Sequence, residues 1–88
     1  MRHRYLEVTF RKGRPLAAYL YLPRPAGAKV ARTSDAGKGL RLDFDSQGIP
    51  IGVEITAPAM VTVAEVNAVL APLGVALVEP EEWAPLAA

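Results

Sequence analysis

The chain lacks cysteine and has one histidine among its 88 residues, and both scarcities restrict its chemistry. Without cysteine there is no disulfide, no thiolate metal site and no thiol nucleophile. His3 has neither a cysteine nor a second histidine with which to complete a usual zinc site. We therefore exclude redox and zinc-dependent classes, and we expect no metal and no cofactor.

Long hydrophobic runs are also missing. No stretch approaches the roughly 18 apolar residues that span a bilayer, and residues 1–7 lack the apolar run of a signal peptide. We expect no membrane span, and the absence of cysteine fits a reducing, cytoplasmic compartment. With 51% hydrophobic and 22% charged residues, the composition is typical of one folded domain.

Basic residues are absent from the second part of the chain. All ten Lys and Arg lie in residues 1–41, where two acidic residues oppose them and the net charge is +8. Residues 42–88 hold seven acidic residues, so their net charge is −7. This asymmetry is typical of a nucleic-acid surface or an acidic tail. In one compact domain the two parts can also neutralise each other, within a chain or between chains, and we favour that interpretation.

Residues 40–56 fit two different structures. They carry oxygen-bearing side chains and a glycine at the places that a calcium loop requires: Asp43, Asp45, Gln47, Gly48 and Glu54. The same segment alternates apolar and polar residues on both sides of Gly48, which is the period of a strand. Because no predicted helices flank it, we predict a β-hairpin instead of a calcium site, with Gly48 in a left-handed turn position.

The hairpin has a predicted register. If Phe44 faces Ile49 across the turn, Arg41 lies opposite Gly52 and diagonal to Glu54, within reach of an ion pair. The apolar residues of both strands then share one face of the sheet, and the charged residues share the other.

The remaining sequence predicts short strands and one helix. Strands are predicted over 4–10 and 16–22 with a turn at 12–15 between them, followed by a short edge strand over 29–33, a loop over 34–39 and a last strand over 75–78. The helix begins at a capping box formed by Thr62 and Glu65 and ends near Gly74.

These elements predict an α+β domain, an antiparallel sheet of four or five strands packed on one C-terminal helix in two layers. Residues 1–78 form the single domain, and residues 79–88 form an acidic tail that contains proline. Trp83 in this tail has two interpretations. Either the tail folds back so that Trp83 and Leu86 cap their own core, or Trp83 anchors the tail on a second copy.

The sheet face opposite the helix is the predicted functional surface, because it is too aromatic to be only a solvated face. The candidate interface consists of six residues of that face together with the tail tryptophan: Tyr5, Tyr19, Tyr21, Arg41, Asp43, Glu54 and Trp83. A thin core, the aromatic face and the divided charge predict a non-catalytic interaction module that self-associates as a homodimer.

Two alternatives stay open from the sequence. One is a nucleic-acid-associated or antitoxin-like regulator that contacts phosphates through the basic N-terminal part, with candidate contacts at Arg2, Arg4, Arg11, Lys12 and Arg14. The other is an enzyme with a carboxylate-based site at Asp43 and Glu54. The nearly neutral total charge argues against the first, and the expected ion pair of Arg41 with Glu54 argues against the second.

A family resemblance covers the same hairpin. The run Ala18-Tyr19-Leu20-Tyr21-Leu22, followed later by Asp43-x-Asp45-x-x-Gly48-x-x-x-Gly52-x-Glu54-Ile55, resembles the short bacterial proteins grouped as domain of unknown function 2283. That family has no established activity, so the resemblance implies signature positions without an assigned role. Family members commonly carry a Tyr-Asp pair where this chain has Phe10-Arg11, and an acidic residue where it has Leu16.

Overall fold

The computed structural model describes residues 4–87 as a five-stranded antiparallel sheet with helices packed on one face. In chain order the elements are β1 (Tyr5–Arg11), β2 (Arg14–Tyr21), β3 (Arg32–Gly37), β4 (Leu40–Phe44), β5 (Pro50–Ile55), α1 (Val63–Leu70) and α2 (Pro80–Ala87), with 3₁₀ turns at Pro58–Met60 and Ala71–Leu73. The strand order is β1-β2-β5-β4-β3. The predicted α+β class, with its antiparallel sheet and C-terminal helical layer, is confirmed. Within residues 4–87 no helix combines the length and apolarity needed to cross a membrane.

The core lies between the sheet and the helices. Neighbouring positions in a strand point to opposite faces, so one alternate set of residues supplies the core. Leu20, Val53 and Leu42 pair across the three central strands. Val66 and Leu70, one turn apart on α1, are fully buried in the same cluster. Burying a side chain of this size contributes roughly 1.5–3 kcal/mol, so these few residues carry much of the stability.

Helix α1 begins as the sequence predicts. The Thr62 hydroxyl accepts a hydrogen bond from the backbone N–H of Glu65 at 3.2 Å, and Glu65 Oε1 accepts one from the backbone N–H of Thr62 at 2.8 Å. This capping box satisfies two N–H groups at the helix start. The helical run ends at Gly74, whose φ of +72° is left-handed.

The turn between β4 and β5 is organised by Asp45. Its Oδ1 accepts hydrogen bonds from the backbone N–H groups of Gln47 and Ile49 at 2.8 and 2.9 Å. Gly48 has a φ of +80°, the left-handed conformation predicted for it. The predicted hairpin is therefore confirmed, and Asp45 has the turn-forming role that short polar side chains take beside their own backbone.

The register of this hairpin differs from the prediction. Ile49 belongs to the turn, and an irregularity in the pairing leaves Phe44 opposite Pro50. Arg41 consequently faces Glu54 directly instead of diagonally. The prediction was wrong because the turn organised by Asp45 includes Ile49 and the irregularity between Asp43 and Phe44 shifts the pairing by one further residue. Strand alternation alone reveals neither.

Two other strand boundaries were also wrong. The edge strand predicted over 29–33 lies at Arg32–Gly37, where pairing with β4 overrides the weak strand preference of the Ser-Asp-Ala-Gly sequence. The first turn consists of Lys12 and Gly13, both at positive φ, so β2 starts at Arg14 instead of Leu16.

Residues 75–78, predicted as a strand, run without strand pairing in the described chain. A side chain takes the place of a partner strand for Val78. Asn67 Nδ2 donates to the Val78 carbonyl at 3.2 Å, and Asn67 Oδ1 accepts from its N–H at 2.7 Å. An amide that both donates and accepts can satisfy a buried backbone in this way.

The segment predicted as an acidic tail forms the helix α2, so the described chain has two α-helices where one is predicted. Trp83 and Leu86 are buried, at 7% and 8% exposure, within the core cluster. Of the two interpretations of Trp83, the structure therefore shows the one in which the segment folds back on its own core.

Arg4, immediately before β1, holds α2 in place. Its Nε and Nη2 donate to the two carboxylate oxygens of Glu82, each at 2.9 Å, and its guanidinium also donates to the carbonyls of Ala76 and Leu77. These hydrogen bonds from Arg4 lower the pKa of Glu82 below its usual value. The two-point geometry makes this pair more specific than an ordinary surface ion pair.

Candidate interaction surface on the open sheet face

The side of the sheet that faces away from the helices consists of two rows of residues. Each row runs across the five strands and is defined by the pairing register. The first row is Tyr5, Tyr21, Gly52, Asp43 and Thr33, and the second is Glu7, Tyr19, Glu54, Arg41 and Asp35. We call these ten residues the open face. All six sheet residues of the predicted interface lie on it, whereas Trp83 lies in the helical layer.

Asp43 is the buried anchor of the open face, with 4% of its surface exposed. Its Oδ2 accepts a hydrogen bond from the Tyr19 hydroxyl at 2.7 Å, and its Oδ1 accepts one from the Thr33 hydroxyl at 2.6 Å. A carboxylate removed from water costs several kcal/mol unless such bonds compensate it. The two hydrogen bonds therefore fix the Asp43 carboxylate and both hydroxyl groups in one arrangement.

Tyr19 reaches Asp43 because Gly52 lies between them. The Tyr19 side chain crosses from the second row to the first over Gly52, where a Cβ would overlap its hydroxyl and ring. Burial, followed by the hydrogen bond and negative charge of Asp43, raises the pKa of Tyr19 well above its usual value. The phenol is therefore protonated at neutral pH, as a donor to a carboxylate must be.

Three tyrosine rings cover the β1–β2 side of the open face. Tyr5 and Tyr21 stack with their ring centroids 4.4 Å apart, and Tyr19 meets Tyr21 edge-on at 4.7 Å. The Tyr21 hydroxyl donates to Glu7 Oε1 at 3.2 Å, and this bond is the main cause of the raised pKa of Tyr21. Because these contacts fix the rings while Tyr5 stays 50% exposed, the surface is both ordered and open to solvent.

Arg24 borders the tyrosine rings. Its guanidinium carbon lies 5.2 Å from the centroid of the Tyr21 ring, and the group donates to the carbonyl of Ile51. A shallow depression of about 380 Å³ lies here, lined by Glu7, Tyr19, Tyr21, Arg24, Val30 and Asp43. A shallow, aromatic depression suits contact with another macromolecule better than enclosure of a small ligand.

The carboxylates on the open face have different surroundings. Asp43 is enclosed, and both of its oxygens already accept hydrogen bonds. Glu54 stands in the other row, directly opposite Arg41. Arg41 forms its ion pair with Asp35, at 3.8 Å and with both side chains exposed, so the pair contributes little stability. The expected partner of Arg41 was Glu54, and strand β3, misplaced in the prediction, supplies Asp35 instead.

Within residues 4–87 no group of three or more His, Asp or Glu side chains is placed to hold a metal ion. The oxygens considered for a calcium loop are dispersed by the hairpin. Asp43 faces Thr33 on the open face, while Asp45 caps backbone groups in the turn.

The predicted nucleic-acid contacts are divided by the structure. Arg2 lies outside the described residues, as does His3. Arg4 is engaged by Glu82 at the end of β1 near α2. The other three members of the set, Arg11, Lys12 and Arg14, are exposed together at the opposite end of β1.

Sequence reasoning missed four members of the open face: Glu7, Thr33, Asp35 and Gly52. A glycine inside a predicted strand indicates the close approach of another group, so Gly52 carried an available signal. Asp35 could not be found, because its segment was predicted as a loop, and Thr33 lay at the end of an edge strand whose partner was not predicted.

No family model, curated protein or solved structure matches this chain. The resemblance to domain of unknown function 2283 stays a prediction.

Proposed function

We propose that the protein is a small, cytoplasmic, non-catalytic interaction module that forms a homodimer through the open face, and that it belongs with domain of unknown function 2283. The observation that carries this proposal is the cluster of Tyr5, Tyr19 and Tyr21 on the side of the sheet away from the helices, in which Tyr5 is exposed and the other two rings are partly buried. Tyrosine is enriched in protein interfaces, where its ring supplies apolar area and its hydroxyl a polar contact.

The rigidity of the open face supports association. Tyr19 is fixed by Asp43 and Tyr21 by Glu7, so both rings have lost rotamer freedom before a partner arrives. Surfaces ordered in advance bind at a lower entropic cost. A stable dimer buries about 800 Å² on each partner, which is roughly one seventh of the 5528 Å² surface of this chain.

The environment of Asp43 supports the absence of catalysis. A general base must reach a substrate proton, and Asp43 is only 4% exposed, with a hydrogen bond to each of its oxygens inside the sheet. The aromatic rings over Asp43 act in this proposal as contact area instead of as walls of a reaction pocket.

Light scattering over a hundredfold range of protein concentration tests the proposal. We expect twice the 9.4 kDa chain mass at micromolar concentration. Tyr5→Glu places a charge at the exposed edge of the cluster and should give the monomer. Met60→Glu is the matched control, because Met60 is equally exposed in the connection between β5 and α1, and it should stay dimeric. A wild type that is monomeric at every concentration would refute the homodimer.

A second candidate is the nucleic-acid-associated or antitoxin-like regulator. The exposed cluster of Arg11, Lys12 and Arg14 favours it, since clustered cations neutralise phosphates. The engagement of Arg4 by Glu82 counts against it, because only part of the predicted basic set remains accessible. Fluorescence anisotropy of a labelled oligonucleotide, with a salt titration, distinguishes this candidate from the first.

A further inference from the structure

The β1–β2 hairpin extends past the end of the neighbouring strand. β1 and β2 pair as far as Arg11 and Arg14, whereas β2 pairs with β5 only over Ala18–Tyr21. Residues 9–17 therefore form a two-stranded projection, which we call the arm. It contains three basic residues and no acidic residue, and its large apolar side chains, Phe10 and Leu16, are 54% and 52% exposed.

The open face has the opposite charge. Its rows hold four carboxylates, and two guanidinium groups lie on or beside it. Arg41 is paired with Asp35 and Arg24 lies against Tyr21, so both cations already have partners within the chain. Glu7 and Glu54 consequently give the tyrosine surface an acidic character.

We propose that the arm of each copy packs on the open face of a second copy, reciprocally about a two-fold axis. This inference rests on the proposed homodimer and names the two surfaces that meet in it. Thr9 and Ala17, which continue the open face onto the arm, lie against the tyrosine rings of the partner, and the basic residues of the arm lie over Glu7 and Glu54. Opposite potentials of this kind orient partners and select the register of an interface.

The geometry of β1 permits this exchange. A self-complementary dimer requires that each chain present both contacting patches. Tyr5 and Arg11 lie on one strand, six residues apart, which is about 20 Å at the rise of a strand. A suitable two-fold axis lies between the two open faces, at right angles to the strands and midway between Tyr5 and Arg11. Rotation about this axis places the arm of each chain over the tyrosine rings of the other.

Nucleic acid is the competing occupant of the arm, and the charge distribution favours the second copy. Three cations supply few phosphate contacts, and the acidic open face of the same molecule repels a polyanion. The sequence pI of about 8.1 is low for a dedicated nucleic-acid-binding domain.

Charge reversal of each surface tests the inference. One variant carries Arg11→Glu, Lys12→Glu and Arg14→Glu, and the other carries Glu7→Lys and Glu54→Lys. Each alone should dimerise at least about tenfold more weakly than wild type, because like charges then meet on both sides of the two-fold axis. An equimolar mixture of the two should restore a dimer, since each arm then meets a face of opposite charge.

The outcomes separate this inference from the proposed homodimer. If wild type is monomeric, both fall. If Tyr5→Glu abolishes a wild-type dimer while the arm-reversed variant dimerises normally, the inference alone is wrong. If wild type binds a labelled oligonucleotide and the arm-reversed variant does not, the arm binds nucleic acid instead. Glutamine replacements at the same arm positions serve if charge reversal prevents folding, and they should weaken the dimer and reduce its salt dependence.

Discussion

The side chain of Tyr19 occupies the space into which a Cβ on Gly52 would project. The two residues lie on neighbouring strands in adjacent rows, and the absence of a side chain at Gly52 gives the phenol its path to Asp43. Gly52 is thus required by the position of another residue and not by its own backbone, since its φ is not among the positive ones.

Gly52→Ala should destabilise the fold by about 2 kcal/mol or more. The new methyl group would displace Tyr19, and Asp43 would stay buried with one donor lost, which costs about 1–3 kcal/mol by itself. Urea unfolding measures the change. Gly48→Ala is the control: its φ of +80° predicts a cost of about 1 kcal/mol from backbone strain alone, with free space around it.

A double-mutant cycle isolates the mechanism. In a Tyr19→Ala background the clash is gone, so adding Gly52→Ala should cost less than about 0.5 kcal/mol, or stabilise the strand slightly. Equal costs in both backgrounds would contradict the assignment of Gly52 as a passage for Tyr19.

Alkaline pH should weaken the fold through Tyr19. Its pKa is raised above the ordinary value of 10.0, so the unfolded chain loses the phenolic proton first. The stabilisation is complete below pH 10 and declines as the pH rises toward the pKa of the folded state. Tyr19→Phe should cost about 1–3 kcal/mol at neutral pH, because Asp43 loses a donor, and should show a shallower alkaline decline. An unchanged decline would assign the effect to other groups.

Acid should weaken the attachment of α2 through Glu82. Arg4 lowers the pKa of Glu82 below 4.5, so the stabilisation is present above that pH and is lost as the pH falls through the lower value of the folded state. Glu82→Gln should flatten this part of the stability profile in urea unfolding. Glu81→Gln, one position earlier and exposed, should leave the profile close to that of wild type.

Trp83→Ala should cost about 3–5 kcal/mol, because it leaves a large cavity in a thin core. Loss of residues 79–88 should prevent stable folding for the same reason, since Trp83 and Leu86 would both leave the core. Glu81→Ala, at an exposed position of the same helix, is the control and should have little effect. Circular dichroism on heating measures all three, and a truncated chain with the wild-type melting temperature would contradict the packing of α2.

Local signals in the sequence were sufficient for several elements. The Thr62 to Glu65 capping box, the left-handed Gly48 and the alternation of β4 and β5 each depend on residues close together in the chain, so the sequence displays them directly. Strand β3 and the bonding of Val78 by Asn67 depend on partners elsewhere. The open face also depends on both local and distant residues. Strand alternation predicted the tyrosines, whereas the burial of Asp43 depends on the pairing of β4 with β3, which brings Thr33 to its carboxylate.

The contact between Arg4 and Glu82 joins residues 78 positions apart in the chain. The β4–β5 hairpin closes over a few residues and can form early, but this contact must wait until nearly the whole chain has been ordered. Folding should therefore finish where α2 meets the start of β1. A pulse of hydrogen exchange would find the amides of β4 and β5 protected before those of α2.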